Sequence, residues 1–561
     1  MASVPPPVVH TEQPAFLRAG ADDKKLSPVE AETKSAHGSA DDGAETEAER
    51  NMTVAEYAAS QGVDEKKLMR KVDMHLIPWL SVLYLLSFLD RSAIGNARLF
   101  GLEASLGMSS REFGIATSVF FFTYAFFEVP SNILLKRMRP SVWFPLLTFF
   151  VGVTMLAQGL VHSYGGLVAA RVCLGIAEAG LFPGVNYLLS GYYKRGEFGI
   201  RAAVFFSAAT ASGAFGGLLS VALSRMNGIG GYEGWRWIFI IIGLATVVSS
   251  IISIWLCEDF PDTAKFLTEP ERRVIMRRLR AEQPSVAGEK FTWAAVGKGF
   301  VDWKTWVGSL MYIGVDAPLY AFSVFTPTIV RALGYSSINA NLLSVPIYVL
   351  ACIVTVFVGL AANKYKDRRA QLSLGFLCVG IGGYVVLAAS RLPGLSYGAI
   401  FFAACGIYPL IPNTIALTIS SVEGSYKRSV VSGFIISMGN LQGAGSTNAY
   451  PRNQAPWYTA GHGVVIMYLG VGLITTLLYY IGVKHENARR ERGACDETIL
   501  DDASAEGVER ARVAREEEMA GYGFWKRLLA KYHEQSGGTY ATVEEARRLK
   551  GDAYSGHRYS L

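Results

Sequence analysis

The sequence predicts an all-α membrane protein, and the observations behind this are its low charge content and its long apolar runs. Only 18% of the 561 residues are charged, whereas soluble domains usually carry about 25%. The apolar residues cluster in runs of roughly 20, the length that crosses about 30 Å of hydrocarbon at 1.5 Å per residue. Two such runs, 237–256 and 464–483, contain no charged residue at all. We therefore expect a chain that crosses a bilayer many times.

Twelve runs of this kind divide the chain into five predicted regions. Spans 1 to 12 are predicted at 73–92, 114–135, 142–162, 166–188, 202–224, 236–256, 306–328, 344–362, 371–390, 396–418, 430–448 and 463–483. The predicted regions are a disordered N-terminal tail (1–72), a six-helix bundle (73–256), a central loop (257–305), a second six-helix bundle (306–483) and a C-terminal tail (484–561). Two bundles of equal size predict a transporter-like plan with a substrate site near the bilayer midplane, between the bundles.

The distribution of basic residues predicts the orientation. The loops after spans 2, 4, 8 and 10 carry more Lys and Arg than the loops on the other side, and the central loop is also basic. Because basic loops stay on the cytosolic side, we expect both tails and the central loop in the cytosol. The expected location is a multi-pass position in the plasma membrane. Within the central loop, residues 269–281 form an amphipathic pattern, expected either as a helix along the membrane surface or as a solvated linker helix.

Several functional classes find no support in the sequence. The net charge of +6 is small for this length and no groove-reading motif is present, so nucleic acid is not an expected partner. The six cysteines form no CxxC or Cys/His cluster, which argues against a metal site and against a disulfide framework. We find no nucleotide-binding loop and no nucleophile–base pair, so we expect neither an enzyme nor a cofactor.

The charged residues inside predicted spans are the first candidates for function. A charge at the bilayer centre costs at least about 2.5–3.5 kcal/mol, so few are kept without a role. Arg171 and Glu178 lie seven residues apart on span 4, so both face the same side, roughly 10 Å apart along the axis. Arg171 is expected to bind a substrate carboxylate through its bidentate fork, and Glu178 to exchange a proton. The alternative is a structural pair that closes onto neighbouring helices.

Three more carboxylates join them as proton-coupling candidates. Asp90 is next to Arg91 near the end of span 1, Glu128 precedes Pro130 in span 2, and Asp316 lies in span 7. Asp90 is expected to hold Arg91 or to pair with another basic residue. For Glu128 a gate or a purely structural hydrogen bond is equally compatible with the sequence.

Neutral polar side chains complete the candidate pocket. Tyr320 lies one turn after Asp316, Asn413 follows two prolines in span 10, and Asn440 lies in the glycine-rich part of span 11. A phenol and amides suit a pocket for a small anion. The alternative for each is an interhelical hydrogen bond, worth about 0.6 kcal/mol on average. The phenylalanine-rich run 120–127 is expected to face lipid or to pack.

Six short motifs carry a family resemblance, and they occur in order along the chain: SFLDRSAIGNA (87–97), EVPSNILLKRMRPSVW (128–143), RVCLGIAEAGLFPGVNYLLSGYY (171–193), FPDTAKFLTEPER (260–272), EGSYKRSVVSGF (423–434) and GNLQGAGSTNAYPRNQAPWYTAGHG (439–463). Together they resemble the major facilitator superfamily, and within it the anion:cation symporter branch in its fungal allantoate-permease-like group. The resemblance extends over roughly residues 65 to 490.

The resemblance implies a major facilitator fold and the uptake of a small organic anion together with protons. Members of that group take up nicotinate, pantothenate, biotin or allantoate. Arg91 resembles the arginine that these symporters place in span 1 for substrate binding, and an Arg and a Glu in places that match Arg171 and Glu178 support their assignment. The expected partners are the organic anion, protons and the lipid bilayer, with the chain acting as a monomer.

Two other functions remain compatible with the same residues. The architecture could export a secondary metabolite, because the direction of transport is not written in the motifs. A nutrient sensor that binds without transporting is the alternative from a different class, with the long tails carrying its signal.

Overall fold

A computed structural model describes residues 52–135, 138–282, 297, 299–365, 368–422, 425–451, 454–492, 498–502, 504–520, 539–543 and 546. By its internal contacts the chain divides into Met1–Met52 and Thr53–Leu561, and the fold described below belongs to the second unit.

Helices occur at all twelve predicted spans, and most ends agree to within a few residues. In order, the spans are Glu65–Leu99, Ser110–Leu135, Pro140–Leu160, Tyr164–Glu178 with Leu181–Ser190, Arg195–Ser224, Gly234–Leu256, Trp303–Ala332, Ser337–Lys364, Arg369–Ala389, Pro393–Ile407 with Leu410–Ser420, Ser425–Ser446, and Thr459–Glu491. Among the described residues, eleven helices are long and apolar enough to cross a membrane. Span 11 is not among them, because Gly, Ser, Asn and Gln lower its hydropathy. The predicted all-helical membrane fold is confirmed.

The predicted boundary of the N-terminal tail needs a correction. Residues 1–51 lie outside the described residues, but a short helix, here called the pre-span helix, covers Val54–Ser60. Span 1 already begins at Glu65. Two N-caps explain both helices: Thr53 and Glu56 form a reciprocal capping box, and the Asp64 carboxylate accepts backbone N–H bonds at the start of span 1. The polar composition concealed these capping signals.

The C-terminal tail also contains secondary structure. Strand β1 (Thr498–Ile499) pairs in parallel with β2 (Thr539–Tyr540), and a helix, Ala505–Ala520, lies between them in the chain. The Arg515 guanidinium lies 4.8 Å from the ring centroid of Tyr540 and donates to the Thr539 carbonyl, which ties the helix to β2. The remaining short elements are the helix Leu102–Ser105 and a 3₁₀ turn at Ile229–Gly231.

The amphipathic segment of the central loop forms the helix Glu269–Glu282, here called the linker helix. It packs against protein rather than lying free, and its apolar residues Val274 and Ile275 are fully buried. Arg278 donates from Nε to Glu65 Oε1 at 2.6 Å and also pairs with Glu197. The predicted helix is therefore present, and its place along a membrane surface stays a prediction. We call this end of the spans the linker end, and the opposite end the far end.

Spans 4 and 10 are each broken into two helices near the middle. The break falls at Ala179–Gly180 in span 4 and at Tyr408–Pro409 in span 10. These positions correspond in the two halves of the chain, and interrupted helices at corresponding positions are typical of the substrate site of transporters. Glu178 is the last residue of the first helix of span 4, directly before its break.

The most extensive contacts between the two halves of the chain are those of spans 1 with 7, 2 with 11, and 5 with 8, and span 5 also contacts span 10. Each pair includes a glycine at a close approach. A Cβ at Gly213 of span 5 would lie 2.6 Å from the Tyr348 ring, and one at Gly443 of span 11 would lie 2.5 Å from the Phe121 ring. A Cβ at Gly95 of span 1 would overlap the Val324 carbonyl of span 7. Small residues at these positions let the helix backbones approach closely, so the halves pack tightly at mid-membrane.

Candidate substrate site

The centre of the bundle holds a hydrogen-bonded network, here called the central network, built around Arg91. The Arg91 Nε donates to Glu178 Oε1 at 2.7 Å, and its Nη1 donates to Tyr320 Oη at 2.5 Å. The Tyr320 hydroxyl in turn donates to Asn440 Oδ1 at 2.7 Å. These bonds connect spans 4, 1, 7 and 11, and they cross from the first half of the chain to the second.

The central network continues to a second carboxylate on span 2. Asn440 Nδ2 donates to Glu128 Oε2 at 3.3 Å, and the Ser437 hydroxyl donates to the same oxygen at 3.0 Å. At the opposite end, Ser87 donates to the Glu178 carboxylate that Arg91 binds. Two buried carboxylates thus end the network, and five spans contribute to it.

Aromatic rings surround the Arg91 guanidinium. Its Cζ lies 4.7 Å from the ring centroid of Tyr124, 5.6 Å from that of Phe120, and slightly further from those of Phe88 and Tyr320. All are within the range of a cation–π interaction, which is strongest where water is excluded. The rings give Arg91 a largely apolar enclosure.

The phenylalanine-rich run of span 2 therefore has two faces. Phe122 and Phe126 are exposed, as expected for a surface toward lipid, whereas Phe120 and Tyr124 are buried at Arg91. Phe120 and Tyr124 are four residues apart and so share a helix face with Glu128. This spacing was a signal in the sequence, and the interpretation of the whole run as lipid-facing or packing surface missed it.

Several polar atoms in this region have no hydrogen-bond partner among the described residues. They are both oxygens of Asp90, Nη2 of Arg91, Nε and Nη2 of Arg171, Oε2 of Glu178, Oε1 of Glu128, Oδ2 of Asp316 and the hydroxyl of Tyr124. Leaving such a buried group unpaired costs about 1–3 kcal/mol, more for charged groups. So many unpaired atoms in one place mark a region that can be stabilised by a ligand or a proton.

The structure pairs Glu178 with Arg91 and not with Arg171, its helix neighbour. Arg171 is buried, and the acidic groups that act on it electrostatically are Glu178 and Asp90. No hydrogen bond joins the Arg171 and Asp90 side chains in the described structure. Arg171 and Asp90 are therefore two further buried polar side chains that lie outside the hydrogen bonds of the central network.

Asp316 is placed at the contact of spans 7 and 11. A Cβ at Gly439 would lie 2.9 Å from its Oδ2, and the Tyr312 ring lies on the same glycine. Asp316 thus borders span 11 at the residue directly before Asn440, which belongs to the central network.

Asn413 is the one predicted site residue that the structure places elsewhere. Its Nδ2 donates to Ser373 Oγ at 2.6 Å and to the Arg369 carbonyl at 3.1 Å, both on span 9. These are interhelical hydrogen bonds, the alternative given for this residue, and its contact with substrate stays a prediction. The break at Pro409 lies one turn earlier, and the helix after it presents Asn413 to span 9.

Spans 2 and 11, which belong to different halves, are in contact toward both of their ends. At the far end of spans 2 and 11, Asn448 Nδ2 donates to Ser118 Oγ at 2.8 Å, and Ser118 donates to the Ala444 carbonyl at 2.9 Å. At the linker end, the amide of Asn132 on span 2 lies against Gly433 of span 11. Arg91 is only 5% exposed, so a solute reaches it only after the two halves move apart at one end.

The chain matches the family model described as Major Facilitator Superfamily over residues 80–447. It belongs to this superfamily. Among curated proteins, it is 35% identical to the MFS-type transporter cnsO of Penicillium expansum over 443 residues, which cover 76% of this chain and 85% of the relative. It is 33% identical to the MFS transporter prlL of a fungal species, with 77% and 89% covered. The superfamily member described here is thus a membrane transporter and not an enzyme.

Two further similarities bear on substrate and fold. The chain is 29% identical to the high-affinity nicotinic acid transporter of Saccharomyces cerevisiae, with 76% of this chain and 79% of the relative covered. A bacterial homolog of the human lysosomal transporter Spinster, solved in an inward-facing and occupied conformation, aligns with a TM-score of 0.54 at 17% identity. That alignment covers 73% of this chain and 97% of the solved chain, and it supports the major facilitator fold.

Proposed function

We propose that this transporter moves a small organic anion by proton symport, as a member of the anion:cation symporter branch. The observation that carries the proposal is the buried Arg91 guanidinium, which is held by Glu178 and has one nitrogen free of partners among the described residues. Such a guanidinium is suited to a carboxylate, which it binds through two parallel hydrogen bonds. The likeness to a nicotinic acid transporter supports the same class of substrate.

Competition for Arg91 would couple the substrate to a proton. A substrate carboxylate that binds Arg91 displaces Glu178, whose charge is then left buried without its partner. Breaking a buried ion pair in this way costs about 3–5 kcal/mol, so the displaced carboxylate gains by taking up a proton. Arg171 lies beside Glu178 and provides a second donor for the substrate, while Asp90, Glu128 and Asp316 are the further candidates for proton binding.

Alternating access follows from the contacts between the halves. The glycine contacts of span pairs 1–7, 2–11 and 5–8 hold the halves together, and a hydrogen bond from Asn448 to Ser118 joins spans 2 and 11 at the far end. Opening at one end and closing at the other would present the site to each side in turn. We assign the halves to residues 73–256 and 306–483, with both tails and the linker helix in the cytosol, and the protein to the plasma membrane as a monomer.

Uptake into proteoliposomes tests this function. The purified full-length protein would be given labelled nicotinate, pantothenate, biotin or allantoate under an inward proton gradient, with and without a protonophore. We expect accumulation of at least one of these acids that collapses when the gradient is removed. Uptake that ignores the gradient would overturn the symport part, and failure to transport any carboxylate would overturn the organic-anion part.

A further inference from the structure

The hydrogen bonds that lead from Arg91 to Glu128 all point the same way. A guanidinium donates hydrogen bonds and cannot accept them, so Arg91 Nη1 is the donor in its 2.5 Å bond to Tyr320 Oη. A phenol has a single hydrogen, and Tyr320 donates it to Asn440 Oδ1 at 2.7 Å. Asn440 in turn donates from Nδ2 to Glu128 Oε2 at 3.3 Å. The chain therefore runs from donor to acceptor at every step between the guanidinium and the carboxyl group.

The surroundings of the Asn440 amide permit only one orientation. Its Nδ2 lies 3.0 Å from the Ile436 carbonyl and 3.3 Å from Glu128 Oε2. Glu128 Oε2 also accepts from the Ser437 hydroxyl, so both oxygens that face Nδ2 are acceptors. A reversed amide would place Oδ1 against these two oxygens without any hydrogen between them. The amide oxygen of Asn440 is thus held toward Tyr320.

Asn440 has no hydrogen left for an anion. An amide nitrogen carries two hydrogens, and those of Asn440 are taken by the Ile436 carbonyl and by Glu128. Its oxygen accepts from Tyr320 and, as an acceptor, has no hydrogen to offer a carboxylate. Although an amide suits an anion pocket by composition, this one can act on an anion only through Tyr320.

The bond to Asn440 decides what Tyr320 offers to a ligand of Arg91. Because its hydrogen is donated to Asn440, the hydroxyl of Tyr320 presents a lone pair to Arg91. A carboxylate that binds Arg91 comes to lie beside this oxygen, since the same guanidinium holds both. Hydrogen bonds to a carboxylate are roughly twice as strong as those between neutral groups, so a free Tyr320 hydrogen would strengthen anion binding.

Resting on the proposed function, we propose that Asn440 is a positioning residue that withholds the Tyr320 hydrogen from the substrate carboxylate. It acts on the anion through Tyr320 and does not touch it. In the empty site this arrangement keeps Tyr320 as an acceptor for Arg91, which links the two halves. In the loaded site it moderates the affinity for the anion, and a transporter needs moderate affinity because it must release its substrate.

Infrared difference spectra of the purified full-length protein test where the hydrogen lies. Subtracting the spectrum of Tyr320→Phe isolates the C–O stretch of this one phenol, which shifts in opposite directions when the hydroxyl donates and when its oxygen accepts. We expect the band of a phenol that both donates and accepts. With Asn440→Leu in both samples, we expect the band of a phenol that only accepts. Asn448→Leu, the same change on the same span, is the matched control and should leave the band unchanged, because Asn448 bonds Ser118 and not Tyr320.

Binding of labelled nicotinate to the same proteins tests the effect on an anion. We expect Asn440→Leu to bind it at least about fivefold more tightly than the unaltered protein, because the freed Tyr320 hydrogen is then donated to a charged acceptor. The gain should vanish when Tyr320→Phe is added, so that the double variant binds like Tyr320→Phe alone. Such non-additivity is expected only if Asn440 acts through Tyr320.

The outcomes separate this inference from the function on which it rests. Weaker binding in Asn440→Leu would make Asn440 a direct ligand and overturn the proposal, and unchanged binding would overturn it too. A Tyr320 band that is the same with and without Asn440→Leu would also contradict it. None of these results removes proton-coupled anion transport, which is judged by the uptake of labelled acids. If no acid is taken up, the proposed function fails, whereas the infrared band needs no ligand and shows by itself whether Asn440 holds the Tyr320 hydrogen.

Discussion

Arg91 contacts both a carboxylate and aromatic rings, and the properties of a guanidinium explain why an arginine is suited to this position. Its planar fork reaches Glu178 and Tyr320 at once, while its face lies on Tyr124. A lysine ammonium is a compact point charge that cannot reproduce both contacts. The residue therefore determines the geometry of the central network as well as its charge.

Arg91→Lys is expected to lower uptake of the transported anion by at least about 100-fold, since two charge-assisted bonds worth about 1.5–3 kcal/mol each are disturbed. The measurement is initial uptake rate, corrected for the amount of protein in the membrane. Arg331→Lys, an exposed cation at the end of span 7, is the control and should behave like the unaltered protein. Near-normal uptake in Arg91→Lys would contradict the role of Arg91 as substrate ligand.

Glu178→Gln is expected to separate binding from coupling. The amide still accepts the bond from Arg91 but no longer exchanges a proton, so substrate exchange across the membrane should persist while accumulation against a gradient disappears. Counterflow and proton-driven uptake would be compared in the same vesicles. Accumulation that survives in this variant would place the coupling proton on another carboxylate.

Among the elements, spans 5 and 8 show how closely the two halves pack. Gly213 meets the ring of Tyr348, and further along the pair a Cβ at Gly217 would lie 2.9 Å from the Asn341 carbonyl. Because interiors are close-packed, added side-chain volume at these points must displace a helix. The glycines thus set the spacing of the two halves around the central network.

Gly213→Leu is expected to reduce uptake at least tenfold, because overpacking costs about 1–3 kcal/mol and opposes the closed conformation. Adding Tyr348→Ala should restore part of the loss by making room for the new side chain. Gly382→Leu on span 9, where a Cβ would meet nothing within 4 Å, is the control. If the double variant is no better than Gly213→Leu, the effect does not arise from this contact.

The linker helix is attached to the start of span 1 by an ion pair that depends on pH. Lys71 Nζ lies 2.7 Å from Glu271 Oε2. Partial burial raises the pKa of Glu271, but hydrogen bonds from Lys71 and Thr268 outweigh it, and the net pKa lies below the usual value. Because the pKa of Glu271 is lower when the helix is docked, the ionised carboxylate stabilises docking at pH values above the pKa of the undocked group, about 4.3. This stabilisation is lost as the pH falls through the pKa of the docked group.

Docking of the linker helix should therefore weaken as pH falls below about 4. Spin labels on the linker helix and the pre-span helix would report their separation at pH 6 and pH 3.5. In Glu271→Gln the separation of the two helices should lose this pH response. Glu269 is an exposed carboxylate in the same helix, and Glu269→Gln should respond to pH like the unaltered protein. A separation that is independent of pH in the unaltered protein would argue against this account.

At the scale of the whole molecule, the central network and the contacts between the halves lie within the twelve spans. The C-terminal strands and the helix between them follow the last span, and the long tails were the reason to consider a nutrient sensor. If the spans alone perform transport, the tails modify it without being part of it.

Removal of residues 1–50 together with 498–561 is accordingly expected to leave the uptake rate within about twofold, a change well under 1 kcal/mol in barrier height. Uptake per molecule in the membrane is the measurement, and the full-length chain is the control. Loss of uptake with normal membrane insertion would assign the tails a direct role and would revive the sensor alternative.

Prediction from sequence succeeded for features that depend on the composition of a single helix, such as the position of a span. Runs of apolar residues located every span, since crossing a bilayer requires that length and hydropathy whatever the neighbours are. Buried charges singled out Arg91, Glu178 and Glu128, since each would be too costly in hydrocarbon without a partner. The position of Asn413 beside span 9 was not predictable, because an amide is satisfied equally well by any neighbouring helix and periodicity does not show which one it faces.

The sequence alone determined that the chain is a twelve-span helical membrane protein with charges concentrated in spans 1, 2, 4 and 7. Only the tertiary structure decided that the partner of Glu178 is Arg91 and not Arg171. It also decided that Tyr320 and Asn440 connect this pair to Glu128. The physical reason is that spans are specified by local composition, whereas a hydrogen bond between spans depends on how helices far apart in the chain rotate and approach. Those distances, set by glycines at the contacts of the two halves, produced one central network from residues that lie far apart in the chain on five different spans.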